Sequence, residues 1–197
     1  MNSAQTFIST ILKAAVALLV AIAPALANAD TLSEVAGRYR IDTSSRIGFM
    51  VAQIGGGGIS GDFKKFSGVF ALNNSDISRS TIEFTLFPES VSTGQARIES
   101  FLRSDAVFDS QNFPTVTFKS TQITQTGPST AAVDGILTAR GKSSPANFQA
   151  TLSTHDKNAI VFHVEGKIMR SRYGMDVGTP IYSNVVQFDM TIHGQRS

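Results

Sequence analysis

The chain has 197 residues, with 17 lysines and arginines against 15 aspartates and glutamates, 14 phenylalanines, no tryptophan and no cysteine. Charges this evenly balanced exclude the basic surface that holds nucleic acid. The missing cysteines exclude disulfides and thiol chemistry, so a chain of single-domain length must be held by its hydrophobic core alone.

The first residues read as a targeting segment. Lys13 precedes an apolar run from Ala14 to Ile22 that Pro24 ends, and Ala27-Asn28-Ala29 has the small-x-small pattern of a signal-peptidase site, with Ala25-Leu26-Ala27 as a second option. The run is shorter than the roughly 20 residues a membrane-spanning helix needs, and no cysteine follows it to carry a lipid anchor. A signal peptide over residues 1–29 is expected, cleaved near Ala29 to leave one exported domain over residues 30–197. Lys13 is the one charged group lost with it, so the mature chain stays close to neutral.

Strands are predicted from Gly37 to Asp42 and from Arg46 to Ala52, the second placing Ile47, Phe49 and Val51 on one face. Gly55-Gly56-Gly57-Gly58 then ends the strand. Gly56, Gly58 and Gly61 fit the spacing G-x-G-x-x-G, but the following Asp62 to Leu72 is aromatic and strand-like, so the motif lacks the helix that gives it meaning and reads as a turn. Residues 73–76 form a turn by composition, and Ser80 to Phe87 alternates Ile82, Phe84 and Leu86 against its other face.

Thr93 to Arg103 has no such alternation and is expected to hold a short helix over Gln95 to Leu102, capped by Thr93. The stretch from Leu102 to Asn112 is irregular, and strand character returns after Pro114, with a missing N–H best tolerated at a strand start. Further strands are expected over Pro114 to Gln122, Ala131 to Ala139, Ala146 to His155, Ala159 to Met169 and Val185 to His193. Turn material separates them, including residues 126–129, 141–145 and 155–158. Eight or nine strands with at most two short helices make the chain all-β and antiparallel, a sandwich or a closed barrel.

Candidates for chemistry are few. His155, His163 and His193 lie on polar faces or strand ends without a third ligand at a recognisable spacing, so no metal site is expected. No G-x-S-x-G elbow is present. Gly141-Lys142-Ser143 resembles the end of a phosphate loop, but Ile136 stands where its first glycine belongs. Two charged clusters remain, Arg103-Ser104-Asp105 and the run from Arg170 to Asp176. They either solvate loops or hold the head of a ligand whose tail lies inside. Phe84, Phe118, Phe162 and Phe188 share the parity of their strands' apolar faces and are expected to line one interior.

Taken in order, these motifs resemble the YceI-like family of secreted, lipocalin-like barrels named for polyisoprenoid binding. The resemblance is carried by Tyr39-Arg40-Ile41-Asp42 with Ser45, Ile47, Phe49 and Val51; by Gly61-Asp62-Phe63 with Phe66-Ser67-Gly68; and by Leu102-Arg103-Ser104-Asp105 with Phe108-Asp109 and Phe113-Pro114. It continues through Phe118-Lys119-Ser120-Thr121, Gly135-Ile136-Leu137-Thr138 with Gly141, and Arg170-Ser171-Arg172-Tyr173-Gly174-Met175. The chain departs from the pattern at Gln53 and Phe101, where many relatives carry histidine.

The resemblance implies a single antiparallel, lipocalin-like β-barrel of about eight strands that binds an isoprenoid chain, such as a polyprenyl phosphate or isoprenoid quinone, without catalysis or cofactor. Ligand-facing wall positions are then Phe49, Val51, Phe66, Phe70, Phe84, Leu86, Phe118, Phe148, Leu152, Phe162, Val164, Phe188 and Met190. Arg103, Asp105, Phe108, Arg170, Arg172 and Tyr173 would stand at the mouth and meet a head group. A hydrolase or isomerase using the same cavity, or a pocketless interaction module, are the alternatives. Isoprenoid lipid is the expected partner and nucleic acid is not; transient membrane contact and a homodimer are both open.

Overall fold

The computed structural model describes residues 31–197. The expected signal peptide, its cleavage site and the start of the mature domain fall outside the described residues.

Eleven strand segments follow in order: β1 (Gly37–Ile41), β2 (Arg46–Gln53), β3 (Gly58–Phe63), β4 (Phe66–Leu72), β5 (Thr81–Leu86), β6 (Val91–Ser92), β7 (Val116–Gln125), β8 (Thr130–Ala139), β9 (Lys142–His155), β10 (Ala159–Met169) and β11 (Tyr182–Arg196). Every pairing is antiparallel, and β11 returns to pair with β1, which closes the ring β1-β4-β5-β7-β8-β9-β10-β11. The segments β1 and β2 lie end to end along β11, β3 and β4 are likewise two halves of one ribbon, and so are β5 and β6. The fold is therefore an eight-ribbon up-and-down barrel, with its first three ribbons broken.

Each break has a local cause. Between β1 and β2 the chain turns at Asp42, whose carboxylate accepts from Ser44 N at 2.8 Å. Ser45 Oγ then accepts from His193 N at 2.9 Å and donates to His193 O at 3.3 Å, so a buried hydroxyl replaces the missing rungs of the ladder. Between β5 and β6, Pro88–Ser90 forms a 3-10 turn, and Ser90 O and Oγ accept from Lys64 N and Lys65 N at the adjoining break. At the end of this series β6 pairs with β3 alone and leaves an edge that β7 does not cover. Helix α1 (Ala96–Arg103) and the residues after it fill the gap, with Leu102 and Val107 buried beneath.

The inner face is apolar, with phenylalanine rings laid over glycines. Phe148 stands directly opposite Gly166, where an added Cβ would come within 2.2 Å of the ring, and Gly135 and Gly194 receive Phe118 and Phe70 in the same way. Rings two or three ribbons apart then meet edge to face inside the barrel, Phe118 of β7 on Phe148 of β9 at 5.2 Å and Phe70 of β4 on Phe162 of β10 at 6.0 Å between centroids. These glycines let the rings lie close against the wall.

Three sequence expectations shift. Strand β9 begins at Lys142 and includes Pro145, which was expected in a turn. Its partner there is Ile136 of β8, and β10 pairs with β9 only from Phe148 onward, so the proline sits where one edge is free and needs no N–H. Strand β7 starts at Val116, two residues after Pro114. Helix α1 is capped from within: Glu99 Oε1 accepts from Thr93 N at 2.8 Å and Gly94 N at 3.1 Å, whereas the Thr93 hydroxyl reaches only Gln95. The glycine turn after β2 leads into a strand, as expected, with Gly55 to Gly58 all at positive φ.

Gly166→Ala is expected to destabilise the barrel by about 1–3 kcal/mol, because the new methyl displaces Phe148 from its seat. Urea unfolding checks this, and the loss should shrink in a Phe148→Leu background if the ring is its cause.

Candidate functional site: an axial tunnel and its mouth

The barrel encloses a cavity of about 220 Å³. Its lining runs from Leu32 and Ile123 at one end to Phe101, Val177 and Tyr182 at the other, the length of the barrel. Strands of ten residues, tilted as in other barrels of this size, span roughly 25 Å along the axis. So small a volume over that length makes a slim channel.

One end is blind. The 3-10 turn Leu32–Val35 folds across it with both terminal side chains buried, and Leu32 N donates to Pro128 O at 3.0 Å. Tyr39 holds the plug by donating its hydroxyl to Val35 O at 3.0 Å. Arg196 donates to Ala36 O at 2.9 Å and to the Tyr39 hydroxyl at 2.8 Å, and stacks over that ring.

At the other end the two long excursions meet, residues 93–115 and 170–181. Arg140, in the two-residue turn between β8 and β9, joins them through Nη1, which donates to Val107 O at 3.1 Å and Gly174 O at 2.9 Å. Arg140 and Gly141 have φ of 49° and 68°, as a tight hairpin requires. Nothing in the sequence marks Arg140 for this role; the signal available was its place in a short turn beside two long ones.

All of the wall positions assigned from sequence except Phe66 and Leu152 line the tunnel. Phe66 is half-buried and stacks on Phe84 at 6.3 Å, and Leu152 is buried without reaching the cavity surface. Met175, Phe101, Val177 and Leu32 belong to the lining as well and lay outside the strand-parity argument that found the rest.

The mouth positions divide. Phe108 and Arg170 line the tunnel; Arg103, Asp105, Arg172 and Tyr173 do not. Arg103 donates Nε to Glu89 O at 2.9 Å and Nη2 to Val91 O at 3.0 Å, standing in for a strand beside the free edge of β6, with Glu99 3.6 Å away. Asp105 is exposed in the turn after α1. Arg172 is exposed and reaches Ser144 Oγ and Pro145 O at 3.4 Å along the outer edge of β9. Tyr173 is buried, and that burial pushes its phenol pKa up, opposed by Ser144 and Arg172.

Arg170 is the one charged side chain in the lining among the described residues. Its Nε donates to Ser183 O at 2.8 Å, Nη1 to Met175 O and to Val177 O at 2.8 Å, and Nη2 to Tyr182 O at 3.1 Å. Burial pulls its pKa below the ordinary guanidinium value, with Asp176 opposing; an arginine stays charged at neutral pH even so. A guanidinium has five N–H groups and four are used, which leaves one on Nη2.

No carboxylate or imidazole lines the tunnel among the described residues. His163 lies on the outer face between Glu165 and Asp189 at 3.8 Å each, and His155 lies near Glu34 at 3.5 Å. Among the described residues no three histidines or acids are placed to hold a metal.

Residues 39–195 match the YceI-like domain family. The chain belongs to the YceI-like family. Protein YceI of Salmonella arizonae and that of Salmonella paratyphi B are each 27% identical to it over 172 residues, covering 83% of this chain and 90% of theirs. Among solved structures, Burkholderia cenocepacia BcnA superposes with a TM-score of 0.72 at 23% identity, covering 78% of this chain and 98% of that one. A polyisoprenoid binding domain from Saccharophagus degradans, implicated in plant cell wall breakdown, has a TM-score of 0.66 at 14% identity, covering 83% of this chain and all of its own. The YceI protein of Campylobacter jejuni gives 0.66 at 21% identity, covering 72% and 86%. At these identities the structural likeness speaks for the fold, which is that of YceI barrels.

Arg170→Met should destabilise this YceI-like barrel by about 3 kcal/mol or more, because four carbonyls lose charged donors at once. Arg172→Ala should change stability by under about 0.5 kcal/mol. Urea titration with hydrogen exchange over residues 170–183 separates the two.

Proposed function

We propose that this YceI-like protein binds an isoprenoid lipid in the periplasm, for transport, storage or scavenging, and carries out no chemistry on it. The tail lies along the tunnel and the polar head stops at Arg170. The observation that carries this reading is an apolar channel along the barrel, blind at one end, with a single charged group among the described residues at its open end. A slim channel suits a linear hydrocarbon better than a compact substrate, since pockets for drug-sized molecules run to about 300–1,000 Å³. Among the described residues the lining has no carboxylate or imidazole, and the Tyr182 phenol alone makes no acid–base pair, which favours binding over hydrolysis or isomerisation. The Saccharophagus degradans domain, named for polyisoprenoid binding, has the same fold and supports the ligand class. The leader over residues 1–29 supports export.

The head group can be a phosphate or a quinone carbonyl, since either accepts the remaining N–H of Arg170. Isoprenoids with either head are expected to displace a fluorescent lipid probe roughly 10- to 100-fold more effectively than the bare hydrocarbon of equal length, the range for one hydrogen bond from a charged donor. Native mass spectrometry of protein isolated from its own host should show an adduct of isoprenoid mass that solvent extraction removes. Adduct-free protein from repeated gentle preparations, with no displacement by any isoprenoid, overturns the reading.

A further inference from the structure

The two ends of the barrel face solvent with opposite chemistry. At the blind end the strands are joined by Asn73-Asn74-Ser75-Asp76, Thr126-Gly127-Pro128-Ser129 and Asp156-Lys157-Asn158, and the apolar residues of the plug are turned inward. At the open end large apolar side chains point outward on three separate segments. Ile54, beyond β2, is 70% exposed and Ile181, before β11, 58%, the highest values among the large apolar residues described. Phe101 and Val177 stand beside the opening at 43% and 42%.

These positions are one surface. Ile54 N donates to Ile181 O at 2.9 Å, which ties the two tips together. Phe101 and Val177 belong to the tunnel lining as well as to the rim, so apolar surface runs from the channel over its lip toward those tips. Beyond Ile54 come Gly55, Gly56 and Gly57, which have no side chains to hold the tip away from a flat surface, and open space surrounds each. Burial in the core does not explain isoleucines left this exposed at one end of a barrel whose other end is polar.

We propose that this rim is a membrane-docking surface, with Ile54 and Ile181 entering the boundary between head groups and acyl chains and setting the tunnel mouth against the bilayer. The inference rests on the reading of the tunnel as an isoprenoid site. The occupant is a lipid surface because the patch is continuous with a channel whose ligand resides in membranes and is too apolar to cross water unaided. A second copy seated on the same rim would close the opening the ligand must use. Exposed charge around the mouth is balanced, Arg97, Lys142 and Arg172 against Glu89, Asp105 and Asp176, so docking is apolar and indifferent to lipid charge and to salt.

The chain has no tryptophan, so a single one reports without background. With phosphatidylcholine vesicles, Ile54→Trp emission is expected to shift to the blue and to be quenched by brominated acyl chains, whereas Asn74→Trp at the blind end stays unchanged. The double variant Ile54→Asp with Ile181→Asp should lose vesicle flotation by about tenfold or more while still displacing a detergent-solubilised fluorescent isoprenoid, since neither residue lines the tunnel. Flotation of the unaltered protein should persist at high salt and with phosphatidylglycerol added. Failure of the unaltered protein to float, or flotation untouched by the two aspartates, overturns docking even where soluble isoprenoid binds normally. Vesicle binding through the rim without uptake of isoprenoid supports docking and defeats the tunnel reading instead. A blue shift that grows with protein concentration in lipid-free solution, alongside dimers in sedimentation, shows that a second copy covers the rim and overturns the proposal.

Discussion

Closure of the sheet by β11 is the interaction on which the rest of this barrel depends. That strand is 15 residues long and pairs with β10 along one side, while its other side carries β1 near the C-terminus and β2 further back. Closure removes the free edges of the sheet and fixes the interior at a width side chains can either fill or leave open. Phenylalanines spaced for filling would have made a solid core. Here Phe148 lies over Gly166 and Phe118 over Gly135, so the aromatic mass goes to the wall and the axis stays open. The tunnel follows from where the glycines stand as much as from where the rings do.

The break between β5 and β6 and the long loops at the open end leave backbone carbonyls that no neighbouring strand pairs, and buried carbonyls need donors. Arginines supply them. Arg103 serves the edge of β6, Arg140 ties residue 107 to residue 174, and Arg170 gathers four carbonyls, those of Met175 and Val177 in the loop before β11 and those of Tyr182 and Ser183 at its start. A planar guanidinium with five donors does this where a lysine could not. The positive charge around the mouth is therefore mostly architectural. Arg170 alone combines that task with a place in the tunnel lining.

Much of this was legible in the sequence, because most inner faces follow a period of two and the histidines fall on outer faces. Phe84, Phe118, Phe162 and Phe188 could be assigned to one interior from parity alone, and all four reach the tunnel. What parity cannot convey is depth along the axis. Phe66 and Leu152 belong to apolar faces yet stop short of the cavity, one against Phe84 and the other within the packed wall. The pairing of β1 and β2 as halves of one ribbon was equally hidden, since it turns on a hydroxyl of Ser45 bonding His193, 148 residues away. Arg140 and Arg172 look alike in composition, and only the loops that each can reach distinguish a tie across the mouth from a charge on the outer edge.

A channel with one sealed end imposes an order on its ligand. The Tyr39 hydroxyl and Arg196 fix the plug, so under the proposed isoprenoid reading a chain entering at Phe101 and Val177 would advance until it met Leu32, with its head near Arg170. Burying a CH₂ group is worth roughly 0.8 kcal/mol, so an isoprene unit of five carbons contributes about 4 kcal/mol. About five units would already reach the practical limit of noncovalent affinity, near 18–21 kcal/mol. Further length then adds little that association costs do not remove. On that reading, discrimination among isoprenoids would come from the two features that do not scale with carbon count: the depth at which Leu32 stops the tail, and the single N–H that Arg170 can still offer a head.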